Sequence, residues 1–235
     1  ENVVFGYPGQ PALLKDISTE IAPGSRISIV GEQGSGRTTL AALLAGLYKP
    51  NSGVIELDGD DIYRLKLDAL RQRVGLVLHF DEIFEGTIEE NITLGRDFSY
   101  QEIRRALEDV RLWDEITHLP DGLATQLSGS GKDLSRSFIR QLMFARSIVG
   151  KPKVLILDEA FSGLDENTKQ QLVNSLYDNK EWTIIDISND QELIRRAGNV
   201  LVLADGRISE SGSPTELAER SVIFKRLFPG LSKVI

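Results

Sequence analysis

A glycine-rich segment between an apolar run and a helical pattern constrains the fold of this chain more than any other feature. Residues 31–38 read Gly-Glu-Gln-Gly-Ser-Gly-Arg-Thr and directly follow the β-type run Arg26–Val30. Leucines at 40, 43, 44 and 47 then lie on one face of a predicted helix. Glycines let successive backbone N–H groups turn towards an anion, and the helix N-terminus adds its dipole. The spacing therefore predicts a phosphate-binding loop between a strand and a helix.

The predicted phosphate loop departs from the usual pattern at one position. Arg37 stands where the pattern G-x-x-x-x-G-K-[ST] has lysine. Arginine keeps the positive charge, but its guanidinium is planar and longer than the compact lysine ammonium. The next residue, Thr38, would offer its hydroxyl to Mg²⁺. The predicted nucleotide-contacting residues of this segment are Gly31, Glu32, Gln33, Gly34, Ser35, Gly36, Arg37, Thr38 and Thr39.

The rest of the chain alternates short strands with helices. Residues 101–112 and 134–149 have the periodicity of amphipathic helices. Three short, mainly apolar runs are of the kind that is buried in parallel sheets: Val154–Leu157, Thr183–Ile187 and Val200–Leu203. This alternation predicts an α/β fold. We expect an inserted helical subdomain over roughly residues 84–150.

Composition excludes several classes of protein. The chain has 35 acidic and 27 basic residues, a net charge of −8, so a broad basic surface for nucleic acid is not expected. It has no cysteine, which rules out disulfides and thiolate metal sites. No apolar run approaches the ~20 residues needed to cross a bilayer. The only methionine is Met143. We therefore expect the 235 residues to be a single domain excised from a longer polypeptide.

Two carboxylates, Asp158 and Glu159, directly follow the apolar run that ends at Leu157. The segment that carries them belongs to an ordered series along the chain. The series consists of Tyr7, the phosphate loop, His79, Leu134–Phe138, Val154–Asp165 and Asn189. It resembles the nucleotide-binding domain of ATP-binding cassette (ABC) transporters over roughly residues 2–220. The resemblance implies a P-loop NTPase core, a mostly parallel sheet flanked by helices, with an antiparallel β subdomain and an inserted helical subdomain. Residues 84–92 resemble the exporter subclass.

The resemblance implies a role for each matching residue. Tyr7 would stack on the adenine of ATP, since an aromatic ring binds a base by its face. Asp158 would hold Mg²⁺ together with Thr38, and Glu159 would polarise the attacking water. Asp165, in Ser162-Gly-Leu-Asp165, would face a partner domain across a dimer.

The signature segment of the family needs its register assigned. Leu127–Gly131 has a similar composition. In the family, however, the signature leucine lies 24 residues before the aspartate that ends the apolar strand, here Asp158, and this spacing selects Leu134. Ser135 then keeps the signature serine, which would contact the nucleotide held by the partner. Arg136, Ser137 and Phe138 replace Gly, Gly and Gln. Arg136 and Phe138 are expected to add bulk where close backbone approach is needed.

Two further positions depart from the family pattern. His79 stands at the position of the glutamine that reaches Mg²⁺ and water, and an imidazole could also ligate a metal. Asn189 stands at the position of the switch histidine; it can donate a hydrogen bond to a phosphate but cannot become cationic. The predicted catalytic residues are Glu159, Asn189 and His79, and the predicted metal ligands are Thr38, Asp158 and His79.

The resemblance implies the ATP-binding domain of an ABC exporter, at the cytoplasmic face of a membrane. The expected ligands are ATP and Mg²⁺. The expected partners are a transmembrane domain, on the same or a partner chain, and a second nucleotide-binding domain, identical or different. Because the departures affect both halves of a composite site, we expect weak or absent hydrolysis. The alternative is an inactive subunit that regulates or scaffolds a transporter. A soluble cassette protein acting on nucleic acid is disfavoured by the acidic charge.

Overall fold

The computed structural model describes residues 1–80, 82–129, 131, 134–179 and 181–231. The strands are β1 (Val3–Phe5), β2 (Leu14–Ile17), β3 (Arg26–Gly31), β4 (Glu56–Leu57), β5 (Asp60–Asp61), β6 (Val74–Leu78), β7 (Gly86–Thr87), β8 (Gln126–Leu127), β9 (Val154–Asp158), β10 (Thr183–Ile187), β11 (Asn199–Ala204) and β12 (Arg207–Gly212). The helices are α1 (Arg37–Leu44), α2 (Leu67–Arg73), α3 (Ile88–Thr93), α4 (Tyr100–Asp109), α5 (Trp113–Thr117), α6 (Arg136–Ile148), α7 (Glu166–Asp178), α8 (Gln191–Arg196), α9 (Pro214–Arg220) and α10 (Val222–Leu227). Among these residues, no helix is both long enough and apolar enough to span a membrane.

Six strands form the central sheet, in the order β12-β11-β3-β10-β9-β6. Five of them run parallel, and β12 pairs antiparallel with β11 at one edge. Nearly every residue of β3, β9 and β10 is buried, as in sheets that helices cover on both faces. The carboxyl ends of these three strands, at Gly31, Asp158 and Ile187, meet at one edge of the sheet. That edge positions the residues predicted to carry the chemistry.

Four helices, α3 to α6, lie within the region predicted to be helical. Their inward faces share one apolar core that includes Ile92, Leu107 and Leu142, each fully buried. α3 and α4 begin at capping boxes, Thr87 with Glu90 and Ser99 with Glu102, in which each side chain satisfies a backbone N–H of the other residue. The subdomain boundary at 84–150 stays a prediction.

A separate antiparallel pair, β1 and β2, packs its apolar residues against α1. Phe5 and Leu14 contact the core that contains Leu40 and Leu43. The predicted helical face is wrong at its last member, because α1 ends at Leu44 and Leu47 is 58% exposed. The physical reason is Gly46, whose φ of 74° turns the chain out of the helix.

Candidate functional site

The loop between β3 and α1 has the backbone conformation that its glycines permit. Gly34 and Gly36 have φ of 81° and 99°, a region that side chains with a Cβ rarely adopt. A Cβ on Gly31 would lie 2.4 Å from the Leu203 carbonyl oxygen, and one on Gly36 would lie 2.7 Å from Leu14 Cδ2. The hydroxyl oxygen of Ser35 is buried and has no hydrogen-bond partner among the described residues. The loop therefore packs closely against Leu203 and Leu14, and the Ser35 hydroxyl is available to a ligand.

Glu32, within this loop, pairs its carboxylate with Arg226 of α10 at 2.5 Å, and both side chains are largely exposed. The Glu32 carbonyl accepts a hydrogen bond from the Ser35 N–H. A cavity of about 470 Å³ lies beside Glu32 and is lined by residues of the loop, β2 and α10 that include Lys15 and Ile223.

Thr38 and Asp158 lie close together, Thr38 exposed and Asp158 buried. Asp158 ends β9 and is 1% exposed, and the hydroxyl of Thr38 lies near its carboxylate. Burial raises the pKa of Asp158, while the Thr38 hydrogen bond and the charges of His79 and Arg37 lower it. Its Oδ2 atom is buried without a hydrogen-bond partner in the described part of the chain. A hydroxyl beside an unpartnered carboxylate oxygen fits a hard divalent cation such as Mg²⁺.

Glu159 follows Asp158 in a left-handed backbone conformation, with φ of 49°. Such a conformation is uncommon for a residue with a side chain and is typical of functional turns. The Glu159 N–H donates to the Ile187 carbonyl at 3.0 Å, which anchors this turn to the end of β10. Burial raises the pKa of the Glu159 carboxyl, and the nearby Arg37 guanidinium lowers it.

Arg37 and Asn189 meet next to Glu159. Arg37 Nη1 donates to Asn189 Oδ1 at 3.0 Å and lies 3.8 Å from Glu159 Oε1. Asn189 Nδ2 donates to the Gly31 carbonyl at 3.3 Å. The fold thus brings together the position that departs from the lysine pattern, the predicted water-polarising carboxylate and the predicted switch residue.

His79 lies at the margin of this cluster. It follows β6, is exposed, and packs edge-to-face on Phe80 with ring centroids 4.9 Å apart. Its charge lowers the pKa of both Asp158 and Glu159, which places it close to the two carboxylates. The His79 carbonyl accepts a hydrogen bond from Arg140 at 2.9 Å. Its predicted roles in catalysis and metal binding stay predictions.

Tyr7 is joined to the first turn of α1. Its hydroxyl shares a hydrogen bond with Thr39 Oγ1 at 3.0 Å. Its ring packs edge-on against Phe5 and Tyr48, with centroids 5.1 and 5.6 Å away. Because Thr39 directly follows Thr38, this bond holds an aromatic ring near the phosphate loop.

The segment at the start of α6 and the start of α7 form one exposed surface. Ser135 caps α6, its hydroxyl accepting from the Phe138 N–H at 3.0 Å. Ser137 Oγ donates to Asp165 Oδ2 at 2.9 Å, and Asp165 caps α7. Hydrogen bonds from Thr168 and Ser137 lower the pKa of Asp165 to about 2. Ser135 and Asp165, both predicted to face a partner, therefore lie on the same side of the domain.

The expectation that Phe138 adds bulk to this surface is wrong. Phe138 is 3% exposed and belongs to the core cluster of the helical region. It lies one helical turn before Leu142, which is also buried, so both point inward. Arg136 is exposed and stays on the surface. Ser130, in the alternative signature run at 127–131, lies outside the described residues.

Sequence reasoning missed one buried group behind the site. Asp186 lies within β10, is 1% exposed, and accepts from Ser188 Oγ at 2.8 Å. Its Oδ1 atom has no hydrogen-bond partner among the described residues. Burial raises its pKa to about 8. The signal was present in the sequence, since an aspartate inside the run Thr-Ile-Ile-Asp-Ile has no polar face to occupy.

Comparison with known proteins places this arrangement in a family. Residues 14–162 match the ABC transporter family. The chain is 39% identical over 233 residues to the ATP-dependent lipid A-core flippase of Thiobacillus denitrificans, covering 96% of this chain and 40% of that protein. It is 37% identical over 232 residues to the mycobactin import ATP-binding/permease protein IrtA of Mycolicibacterium smegmatis, covering 97% of this chain and 27% of that protein.

A solved structure has the same fold. The structure of a bacterial Atm1-family ABC exporter with ATP bound superposes with a TM-score of 0.90 at 35% identity. The match covers 97% of this chain and 40% of that one, so the present chain spans less than half of these relatives. The predicted fold class, an α/β P-loop NTPase core, is confirmed. The chain belongs to the ABC transporter family.

Proposed function

We propose that this domain binds ATP with Mg²⁺, pairs with a second such domain, and couples that pairing to transport with little or no hydrolysis. The observation that carries the proposal is the phosphate loop, a close-fitting glycine turn beside the Thr38–Asp158 pair and its unpartnered carboxylate oxygen. Thr38 and Asp158 would hold Mg²⁺. The cation would neutralise phosphate charge and polarise the phosphoryl group when bound.

Weak hydrolysis follows from what the chain's own residues do around Glu159. A carboxylate that polarises water has to be free to accept a proton from it. Here Glu159 lies beside the Arg37 guanidinium, and Asn189 cannot supply the cationic donor that a histidine would. Arg136 adds an exposed side chain to the surface that would approach a partner's phosphates. These departures support binding without rapid turnover.

Two exposed surfaces support the proposed partners. Ser135, Arg136 and Asp165 lie on the surface that would face a second nucleotide-binding domain. Phe80 and Phe84, 58% and 40% exposed, follow β6 beside His79 and offer apolar contacts to a transmembrane domain. We propose that the chain is one domain of a longer transporter and lies at the cytoplasmic face of the membrane. The cargo is not assigned.

Binding of ATP by the 235-residue chain tests the proposal against the scaffold alternative. Tyr7→Ala is expected to weaken ATP binding about tenfold, because a stacked ring contributes roughly 1–3 kcal/mol. Tyr7→Phe keeps the ring and loses only the Thr39 hydrogen bond, so its affinity should stay close to that of the wild type. Calorimetric titration with ATP and Mg²⁺ measures both. Tyr100→Ala, at a 60% exposed tyrosine on α4, is the matched control. Equal affinities of the wild type and Tyr7→Ala would remove Tyr7 from the site.

Slow hydrolysis is the second expected result. Turnover, measured by phosphate release under saturating ATP, should lie far below the ~10 s⁻¹ typical of enzymes. Glu159→Gln should change this residual rate little, because the Glu159 carboxylate already contributes weakly. A turnover near the typical value that Glu159→Gln abolishes would contradict the proposal and show an active ATPase.

A further inference from the structure

The guanidinium of Arg37 joins three separate loops of the site. It hydrogen-bonds to Asn189 at 3.0 Å and lies 3.8 Å from the Glu159 carboxylate. Asn189 also donates to the Gly31 carbonyl, at the end of β3. The Arg37 side chain is only 15% exposed, so these contacts hold the cation inside the site rather than in solvent. One side chain thus connects the phosphate loop, the end of β9 and the switch loop.

These contacts compete with phosphate for the same donors. A guanidinium binds phosphate through paired N–H groups in one plane, and both partners are charged. A guanidinium already engaged by an amide and a carboxylate has to give up at least one of them to do so. The bond to Asn189 is well formed, whereas the distance to Glu159 is that of a loose ion pair. Asn189 is therefore the residue that holds Arg37 in place.

We propose that Arg37 and Asn189 form an internal latch that the phosphate groups of an incoming nucleoside triphosphate must open. Closed, the latch keeps the Arg37 cation beside Glu159. Opening breaks the hydrogen bond to Asn189 and turns the guanidinium towards the phosphates, while Arg37 stays beside the Glu159 carboxylate. This inference rests on the proposed function, because it requires nucleotide to bind at the phosphate loop. It makes Arg37 and Asn189 one unit rather than two independent substitutions.

A double-mutant cycle on ATP affinity tests the latch in the 235-residue chain. Asn189→Ala removes the amide, so ATP no longer has to displace it, and binding should tighten about three- to tenfold, the range for one ordinary protein hydrogen bond. Arg37→Met keeps the aliphatic stem and removes the cation. In the Arg37→Met background, Asn189→Ala should bring no gain in ATP affinity. Unchanged or weaker binding by Asn189→Ala alone, or the same gain in both backgrounds, would overturn the latch.

The chain offers a matched control pair outside the site. Arg196 Nη2 donates to Asn174 Oδ1 between α8 and α7. Asn174→Ala removes an arginine–asparagine hydrogen bond of the same kind, and ATP affinity should not change. A gain in affinity as large as that of Asn189→Ala would show a general effect on the domain and overturn the latch.

A measurement without nucleotide separates the latch from the proposed function. In urea unfolding of the four variants, Asn189→Ala should destabilise the chain when Arg37 is present and have a smaller effect in the Arg37→Met background. Additive effects would overturn the latch. If coupling is found but neither the wild type nor any variant binds ATP, the latch contact stands and the proposed function fails. If the wild type binds ATP and Asn189→Ala has no effect, the latch fails and the proposed function stands.

Discussion

ATP hydrolysis is expected to rise about 10²–10³-fold when five departures are reverted together, the size of effect that one lost transition-state contact produces. The reversions are Arg37→Lys, His79→Gln, Arg136→Gly, Ser137→Gly and Asn189→His. The expectation rests on the remaining frame: Thr38 contacts Asp158, and Glu159 is anchored to β10 by its N–H. Single reversions should do little, because each leaves other defects in the same composite site. Phosphate release as a function of protein concentration is the measurement, and it should rise steeply because two domains form one site.

The structure shows that the reverted chain has to keep Phe138. Phe138 would be part of a purely sequence-based reversion, but it is buried in the helical core. Phe138→Gln would leave a cavity and a buried amide at a cost of about 3 kcal/mol or more. Ser137→Gly also removes the hydrogen bond to Asp165, so the stability of the reverted chain is checked first. Adding Glu159→Gln to the reverted chain should abolish turnover. A folded, ATP-binding reverted chain without turnover would contradict the residue assignments.

Asp186→Asn is expected to change the pH dependence of stability strongly between pH 4 and pH 8. Burial, together with the nearby carboxylates of Asp190, Glu159 and Asp158, raises the pKa of Asp186 from an ordinary value of 3.8 to about 8, although the hydrogen bond from Ser188 lowers it. Between these values the native chain holds a proton that the unfolded chain has lost. The contribution of Asp186 to stability is therefore most favourable below pH 4 and decreases as the pH rises to about 8.

The size of this effect follows from the pKa displacement. At about 1.4 kcal/mol per pKa unit, Asp186 lowers the free energy of unfolding by up to about 6 kcal/mol across that interval. Asparagine keeps an acceptor for Ser188 and cannot ionise. The free energy of unfolding of Asp186→Asn, measured in urea from pH 4 to pH 8, should thus increasingly exceed that of the wild type. Asp121→Asn, at an exposed aspartate, should follow the wild-type profile. Parallel profiles for the wild type and Asp186→Asn would contradict the buried-acid account.

Local patterns in the sequence determined most of the frame of this site. The glycine spacing at 31–36 predicts the loop because its backbone turns need residues without a Cβ, and the structure has Gly34 and Gly36 at positive φ. The apolar run ending at Asp158 predicts a buried parallel strand with a carboxylate at its end. Both inferences depend on neighbouring residues, whose periodicity and backbone freedom can be read directly from the chain. The boundary of α1 could not be read in this way, because the turn at Gly46 ends the helix before its last leucine.

Only the tertiary structure decided which side chains meet. Arg37 and Asn189 are 152 residues apart, and Ser137 and Asp165 are 28 apart; no local pattern indicates either contact. The burial of Phe138 depends on the helices that pack over α6, and the shifted pKa of Asp186 depends on burial within the sheet. Contacts between distant segments and the exclusion of water both arise when the chain closes on itself. The sequence by itself therefore determined the loop, the strand and the family of this domain, and the folded chain determined how its cation, carboxylates and amide are paired.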